Sequence, residues 1–102
     1  MSFGNIAKMA QKMQAEMARA QEELASLRVE GSAGGGAVKA VVTGQQELIS
    51  LTIAPEVVDP QDVEMLQDLI LAAVNDALAN ARKAAEQKMA ALTGGLRIPG
   101  LV

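Results

Sequence analysis

The residues that most resemble a chemical site are three consecutive glycines, Gly34, Gly35 and Gly36, followed by Lys39. Glycine-rich loops ahead of a lysine bind phosphate when the lysine comes directly after the last glycine and a helix begins there. Here Lys39 lies three residues beyond Gly36, and the residues that follow alternate as in a strand. A dinucleotide-binding loop also requires a helix after its glycines. We therefore interpret this stretch as a turn between strands.

Other side chains capable of chemistry are few. The sequence contains no cysteine and no histidine, which removes the commonest metal ligands and the commonest general base. A cluster of five acidic residues could attract a divalent cation, but it lacks the spacing and the glycine of a calcium-binding loop. Its members are Glu56, Asp59, Asp62, Glu64 and Asp68. We therefore expect no enzymatic activity, no cofactor, no small-molecule substrate and no metal ion.

A long first helix is predicted from Phe3 to Leu27. Its apolar positions recur in steps of three and four, as in a heptad seam: Phe3, Ile6, Ala10, Met13, Met17, Ala20, Leu24 and Leu27. Met9, Met13 and Met17 also follow each other at intervals of four. Such a stripe favours helix packing, with an adaptable binding surface as the alternative.

Three strands are predicted next. Two runs with alternating, β-branched residues, 38–43 and 48–53, flank a hairpin loop at residues 43–46. Residues 27–30 are interpreted either as a first strand or as the frayed end of the helix. Pro55 ends the third strand because it has no N–H to donate to a ladder.

A second long helix follows, of about 33 residues, with Asp59 as the predicted N-cap and Pro60 at its first position. Gly94 and Gly95 indicate its end. The fold class is therefore α+β, a single domain over residues 1–102 in the order α-β-β-β-α. A small three-stranded sheet cannot cover two such helices, so we expect a homodimer.

The charge is unevenly distributed. The chain carries a net charge of −3, which by itself disfavours nucleic-acid binding. Residues 1–15 nevertheless carry +2, residues 79–102 carry +3, and residues 16–78 carry −8. If the helices are antiparallel, the two basic segments meet at the end of the molecule farthest from the sheet. The cations proposed to bind phosphate there are Lys8, Lys12, Arg82, Lys83 and Lys88. The alternative is that they are ordinary solvated residues.

Several motifs together resemble one known family. VEGSAGGGAVKAVVTG, PEVVDPQDVEMLQDLILAAVNDAL, MAALTGG and the closing IPG are similar to the YbaB/EbfC family over nearly the whole chain. The resemblance implies a bacterial nucleoid-associated protein, a tweezer-like homodimer whose long helices project from a joined β-core. It also implies binding to double-stranded DNA, with effects on nucleoid organisation and expression. Ala54 departs from the aspartate frequent in the family before the PE pair, at a strand end where we expect little consequence.

Two functional hypotheses follow. The first is a dimer that binds duplex DNA mainly through its backbone, because no aromatic residues for stacking and no recognition motif are evident. The alternative is an adapter that holds replication or repair proteins in the helical cleft. No signal-peptide pattern and no run of about 18 apolar residues occurs, so we expect a cytoplasmic, nucleoid-associated protein that makes no membrane contact.

Overall fold

The computed structural model describes residues 3–93, and the order of its elements is α-β-β-β-α, as predicted. For residues 27–30 the sequence leaves a strand and a frayed helix end as alternatives; the structure forms a strand over residues 28–33, and α1 ends at Ser26. The elements are α1 (Phe3–Ser26), β1 (Arg28–Ala33), β2 (Val38–Thr43), β3 (Leu48–Ile53), a short 3₁₀-helix (Pro55–Val57) and α2 (Val63–Thr93). Gly94 and Gly95, which are predicted to end the second helix, lie outside the described residues.

The three strands form one antiparallel sheet in the order β1-β2-β3. Ala33 pairs with Val38 across the first connection, and Val38 pairs in turn with Ile53 of β3. The three glycines that resembled a phosphate loop make this first connection as a tight turn, with φ between 64° and 94°. These angles are in the left-handed region, where glycine carries no Cβ penalty. The predicted turn is therefore confirmed.

The core lies between one face of the sheet and α2. Val38, Ala40 and Val42 alternate along β2 and are fully buried, as expected for the inward face of a strand. The helix meets them with alanines at intervals of four, namely Ala73, Ala77 and Ala81, which are also fully buried. Because alanine is small, the helix axis can approach the sheet closely.

The closest approach occurs at Gly31 of β1. A Cβ atom there would lie 2.1 Å from the backbone nitrogen of Ala77 and 2.7 Å from the carbonyl oxygen of Ala73. Beside this contact, Asp76 accepts a hydrogen bond from the backbone N–H of Ser32 (3.0 Å), and Asn80 donates one to the carbonyl of Glu30 (2.9 Å). Side chains of α2 thus satisfy backbone groups on the outer edge of β1, a form of protection that exposed sheet edges require.

The start of α2 differs from the prediction. Asp59 does not cap the helix; its carboxylate accepts the N–H of Gln61 (2.9 Å), and its carbonyl accepts the N–H of Asp62 in a turn that precedes the helix. The N-cap is Asp62, whose carboxylate accepts the N–H of Met65 (3.1 Å). The predicted position was therefore wrong by one turn, because Asp59-Pro60 and Asp62 are both good helix starts and Asp59 is used for the turn instead.

The molecule is elongated. Its radius of gyration is 19.8 Å, against roughly 13 Å for a compact domain of this length. The main reason is α1, of which only Ala20 and Leu24 are buried. Within residues 3–93, neither helix is long and apolar enough to cross a bilayer.

Candidate nucleic-acid interface

The last turns of α1 fix the direction in which this helix leaves the sheet. The N–H of Gly44, in the loop between β2 and β3, donates to the carbonyl of Leu24 (2.8 Å), and Gln45 Nε2 donates to the carbonyl of Gln21 (3.1 Å). These bonds attach the C-terminal end of α1 to the hairpin. They leave its N-terminal half free to project away from the sheet.

The two helices lie side by side in opposite directions, as predicted. Glu23 of α1 pairs with Lys88 of α2, and Glu16 lies in the same cleft as Leu92, near the end of the described part of α2. Later residues of α2 therefore meet earlier residues of α1. Residues 3–15 extend beyond Glu16 by about 20 Å, at ~1.5 Å per residue.

Lys8 and Lys12 lie on this projecting part of α1. Both are exposed, and residues 3–15 contain no acidic side chain. Because they are four residues apart, the two lysines are neighbours on the helix surface. They form a pair of cations at the end of the molecule, where the sequence predicted a basic tip.

Arg82 and Lys83 lie elsewhere. They follow Ala81, which is buried against the sheet, and Asn80, which is bonded to β1. The expectation that residues 79–83 lie far from the sheet is therefore wrong, because α2 still crosses the sheet at this point. Both cations are exposed to solvent. They form a second basic position beside the sheet and do not join the pair on α1.

Lys88 occupies the space between these two positions and is already paired. Its ammonium contacts the Glu23 carboxylate, and the side chains are about one-third and one-half exposed, respectively. The hydrogen bond and positive charge of Lys88 lower the pKa of Glu23, with a smaller contribution from Arg19. Part of the charge of Lys88 is thus neutralised within the chain.

Sequence reasoning overlooked Arg19, which lines the same cleft as Glu23 and Lys88. Arg19 lies within residues 16–78, where eleven acids outweigh its charge. A local signal was present: Arg19 and Glu23 are four residues apart on one helix, where opposite charges are neighbours.

Comparison with known proteins agrees with this architecture. The model of the YbaB/EbfC DNA-binding family matches residues 1–96. A nucleoid-associated protein of Pelotomaculum thermopropionicum is 57% identical, with 99% of each chain covered. One from Chloroflexus aurantiacus is 55% identical, covering 95% of this chain and 97% of the relative.

A solved structure has the same fold. An uncharacterized protein from Helicobacter pylori superposes with a TM-score of 0.70 at 25% identity, covering 94% of this chain and 97% of its own. The sequence motifs, the α-β-β-β-α topology and these matches agree along almost the full length. The chain therefore belongs to the YbaB/EbfC family of nucleoid-associated DNA-binding proteins.

Proposed function

We propose that the protein binds double-stranded DNA as a homodimer, helps to organise the bacterial nucleoid in the cytoplasm, and thereby influences expression. The observation that carries this proposal is the projection of α1, in a chain of a DNA-binding family: residues 3–15 present Lys8 and Lys12 beyond the sheet and contain no acidic side chain. Arg82, Lys83 and Lys88 are proposed as further phosphate contacts on α2, separate from the pair on α1.

Contacts to the phosphate backbone account best for such binding. The proposed contact residues are lysines and one arginine on helix surfaces, and Phe3 is the only aromatic residue of the sequence. Lysine binds phosphate as a point charge, and stacking on bases requires aromatic rings. We therefore expect little sequence preference.

An uncovered apolar surface supports the homodimer. Leu48 and Leu51 of β3 pair with Val42 and Ala40, so their side chains lie on the face of the sheet that α2 covers. They remain 48% and 37% exposed because α2 packs over β1 and β2 and leaves β3 open.

The same surface continues onto α2. Leu71, Val74 and Leu78 recur at intervals of three and four and form one stripe. Leu71 is 60% exposed, whereas Asp76 and Asn80 occupy the opposite flank, toward β1. A second copy that lays its own α2 against β3 would cover the stripe and the strand together, in an isologous contact.

Dimerisation also doubles the number of phosphate contacts. If each protomer contributes Lys8 and Lys12, four phosphates are neutralised, and the affinity should fall about 150-fold between 50 and 200 mM salt. Fluorescence anisotropy of a labelled duplex tests this directly. Absence of binding at 50 mM salt would refute the proposal.

A second candidate function rests on a different observation. The projecting part of α1 exposes Phe3, Ile6 and Met9, with 89% of Phe3 accessible, and Met17 is exposed two residues beyond this part. An apolar stripe rich in methionine can adapt to a partner helix, as expected for an adapter of replication or repair proteins. In that case, replacing Met9 and Met17 by glutamine would abolish binding of the protein partner, and the affinity for that partner would depend little on salt concentration.

A further inference from the structure

A shallow cleft separates α1 from α2 on the side of the molecule that carries Lys88. Charged side chains from both helices line it: Glu16, Arg19 and Glu23 from α1, and Lys88 from α2. Two cations and two acids thus face a space of about 340 Å³ that is open to solvent. Such a cleft can admit an anion if one of the acids gives up its position.

Glu23 is the acid that the two cations share. Its carboxylate pairs with the ammonium of Lys88, and Arg19 lies one helical turn before it and attracts the same charge. Both members of the ion pair are partly exposed. Exposed pairs of this kind contribute little net stability because water solvates the separated charges nearly as well. The carboxylate can therefore be exchanged for another oxyanion at small cost.

Arg19 also lies in line with the cations proposed to bind DNA. At about 100° per residue, Lys8, Lys12 and Arg19 fall within about 40° of each other around the axis of α1. They span roughly 16 Å along the helix, which corresponds to about five nucleotide steps of one DNA strand at ~3.4 Å each. A phosphate backbone lying along this line would pass over the cleft.

We propose that Arg19 and Lys88 form a phosphate-binding subsite for the DNA backbone, and that the Glu23 carboxylate occupies the position of the phosphate in the free protein. The guanidinium supplies paired N–H donors and the ammonium a compact charge, which together suit a phosphodiester oxygen. The inference rests on the proposed function, because the anion is a DNA phosphate. Glu23 then sets the affinity, since DNA must replace an internal partner before it gains these two cations.

The test compares two adjacent glutamates. Glu22→Gln and Glu23→Gln remove the same charge from neighbouring exposed positions of α1, but only Glu23 pairs with Lys88. Anisotropy titrations of a labelled duplex would be carried out with the full chain at several salt concentrations. We expect Glu23→Gln to tighten binding more than Glu22→Gln. Glu23→Gln should also steepen the slope of log affinity against log salt concentration by about 0.9 for each protomer, because one more DNA phosphate is neutralised and releases its counterion.

Lys88→Met provides a second, independent readout. In the wild-type background it should change the salt dependence little, because Glu23 already neutralises Lys88. In the Glu23→Gln background, Lys88→Met should remove the gain in affinity and in salt slope that Glu23→Gln produces. The effects of the two substitutions are then non-additive in a double-mutant cycle. Far-ultraviolet circular dichroism would verify that each variant keeps its helices.

The outcomes separate this inference from the proposed function. Wild-type binding with identical titrations for Glu22→Gln and Glu23→Gln would overturn the subsite and leave the proposed function intact. Binding by Glu23→Gln without binding by the wild type would support the subsite and overturn DNA binding by the natural chain. If neither the wild type nor Glu23→Gln bound the duplex at 50 mM salt, the subsite and the proposed function would both be overturned.

Discussion

Replacement of Gly31 by alanine is expected to cause severe destabilisation. The added Cβ would lie 2.1 Å from the nitrogen of Ala77, 2.5 Å from its Cα and 2.7 Å from the carbonyl oxygen of Ala73. All three are backbone atoms of α2, so no side-chain rotation can relieve the clash. The helix would have to move away from the sheet by about 1.3 Å to restore ordinary packing distances.

The magnitude follows from what this shift disturbs. Overpacking of a close-packed core costs about 1–3 kcal/mol. The hydrogen bonds from Asp76 and Asn80 to β1 lie beside the clash, and their loss would add about 0.5–1.5 kcal/mol each. Together these costs amount to roughly 2–6 kcal/mol, and the middle of that range, about 4 kcal/mol, corresponds to a decrease in Tm of about 15–30 °C for a chain of this length.

Thermal unfolding followed by circular dichroism, at one fixed protomer concentration, measures this decrease. Gly35→Ala is the matched control, because Gly35 has φ of 67° but no atom lies within 4 Å of the position that its Cβ would take. Its cost should be only the conformational one, about 1–2 kcal/mol. If the two variants unfolded with free energies within about 1 kcal/mol of each other, the reasoning from close approach would be refuted.

Three further predictions concern other parts of the molecule. Asp62→Ala should destabilise the protein by about 1 kcal/mol in denaturant unfolding, and more than Asp59→Ala, because Asp62 caps α2; an equal effect would contradict this assignment. Leu71→Lys should reduce the particle in sedimentation from twice 10.6 kDa to that mass while helix content is retained, because Leu71 lies on the proposed dimer surface; an unchanged mass would argue against that surface. Finally, the pKa of Glu23, followed by NMR, should rise in Lys88→Met, because the folded-state pKa is lowered mainly by Lys88. The stabilisation by the Glu23–Lys88 pair is therefore present at pH values above the unfolded-state pKa of Glu23 and is lost as the pH falls through its folded-state pKa. An unchanged pKa of Glu23 in Lys88→Met would show that this ion pair does not form in solution.

The local elements could be predicted from the sequence because their signals are local. The apolar seam from Phe3 to Leu27 repeats every three or four residues, and the apolar residues of β2 and β3 largely alternate with polar ones, with a turn between the two strands. The start of α2 was predicted at the wrong residue, because Asp59 and Asp62 both suit an N-cap and only the turn between them decides which one is used.

The placement of side chains between elements could not be predicted in the same way. Asp76 and Asn80 bond to residues of β1 that lie 44 and 50 positions earlier in the chain, and no local pattern indicates such contacts. The same limitation explains why Arg82 was predicted to lie far from the sheet. Its position depends on how far α2 crosses the sheet before it leaves, which is set by the packing of Ala81.

The most direct test of DNA binding by the projecting helix is the salt dependence of a variant that lacks its two lysines. Lys8→Gln and Lys12→Gln would be combined, and the logarithm of duplex affinity would be measured against the logarithm of salt concentration. In a dimer that loses four phosphate contacts, the slope should become shallower by about 3.6 relative to the wild type. A variant that retains the wild-type slope and affinity would contradict the account, because DNA would then be bound by another surface or not through phosphates at all.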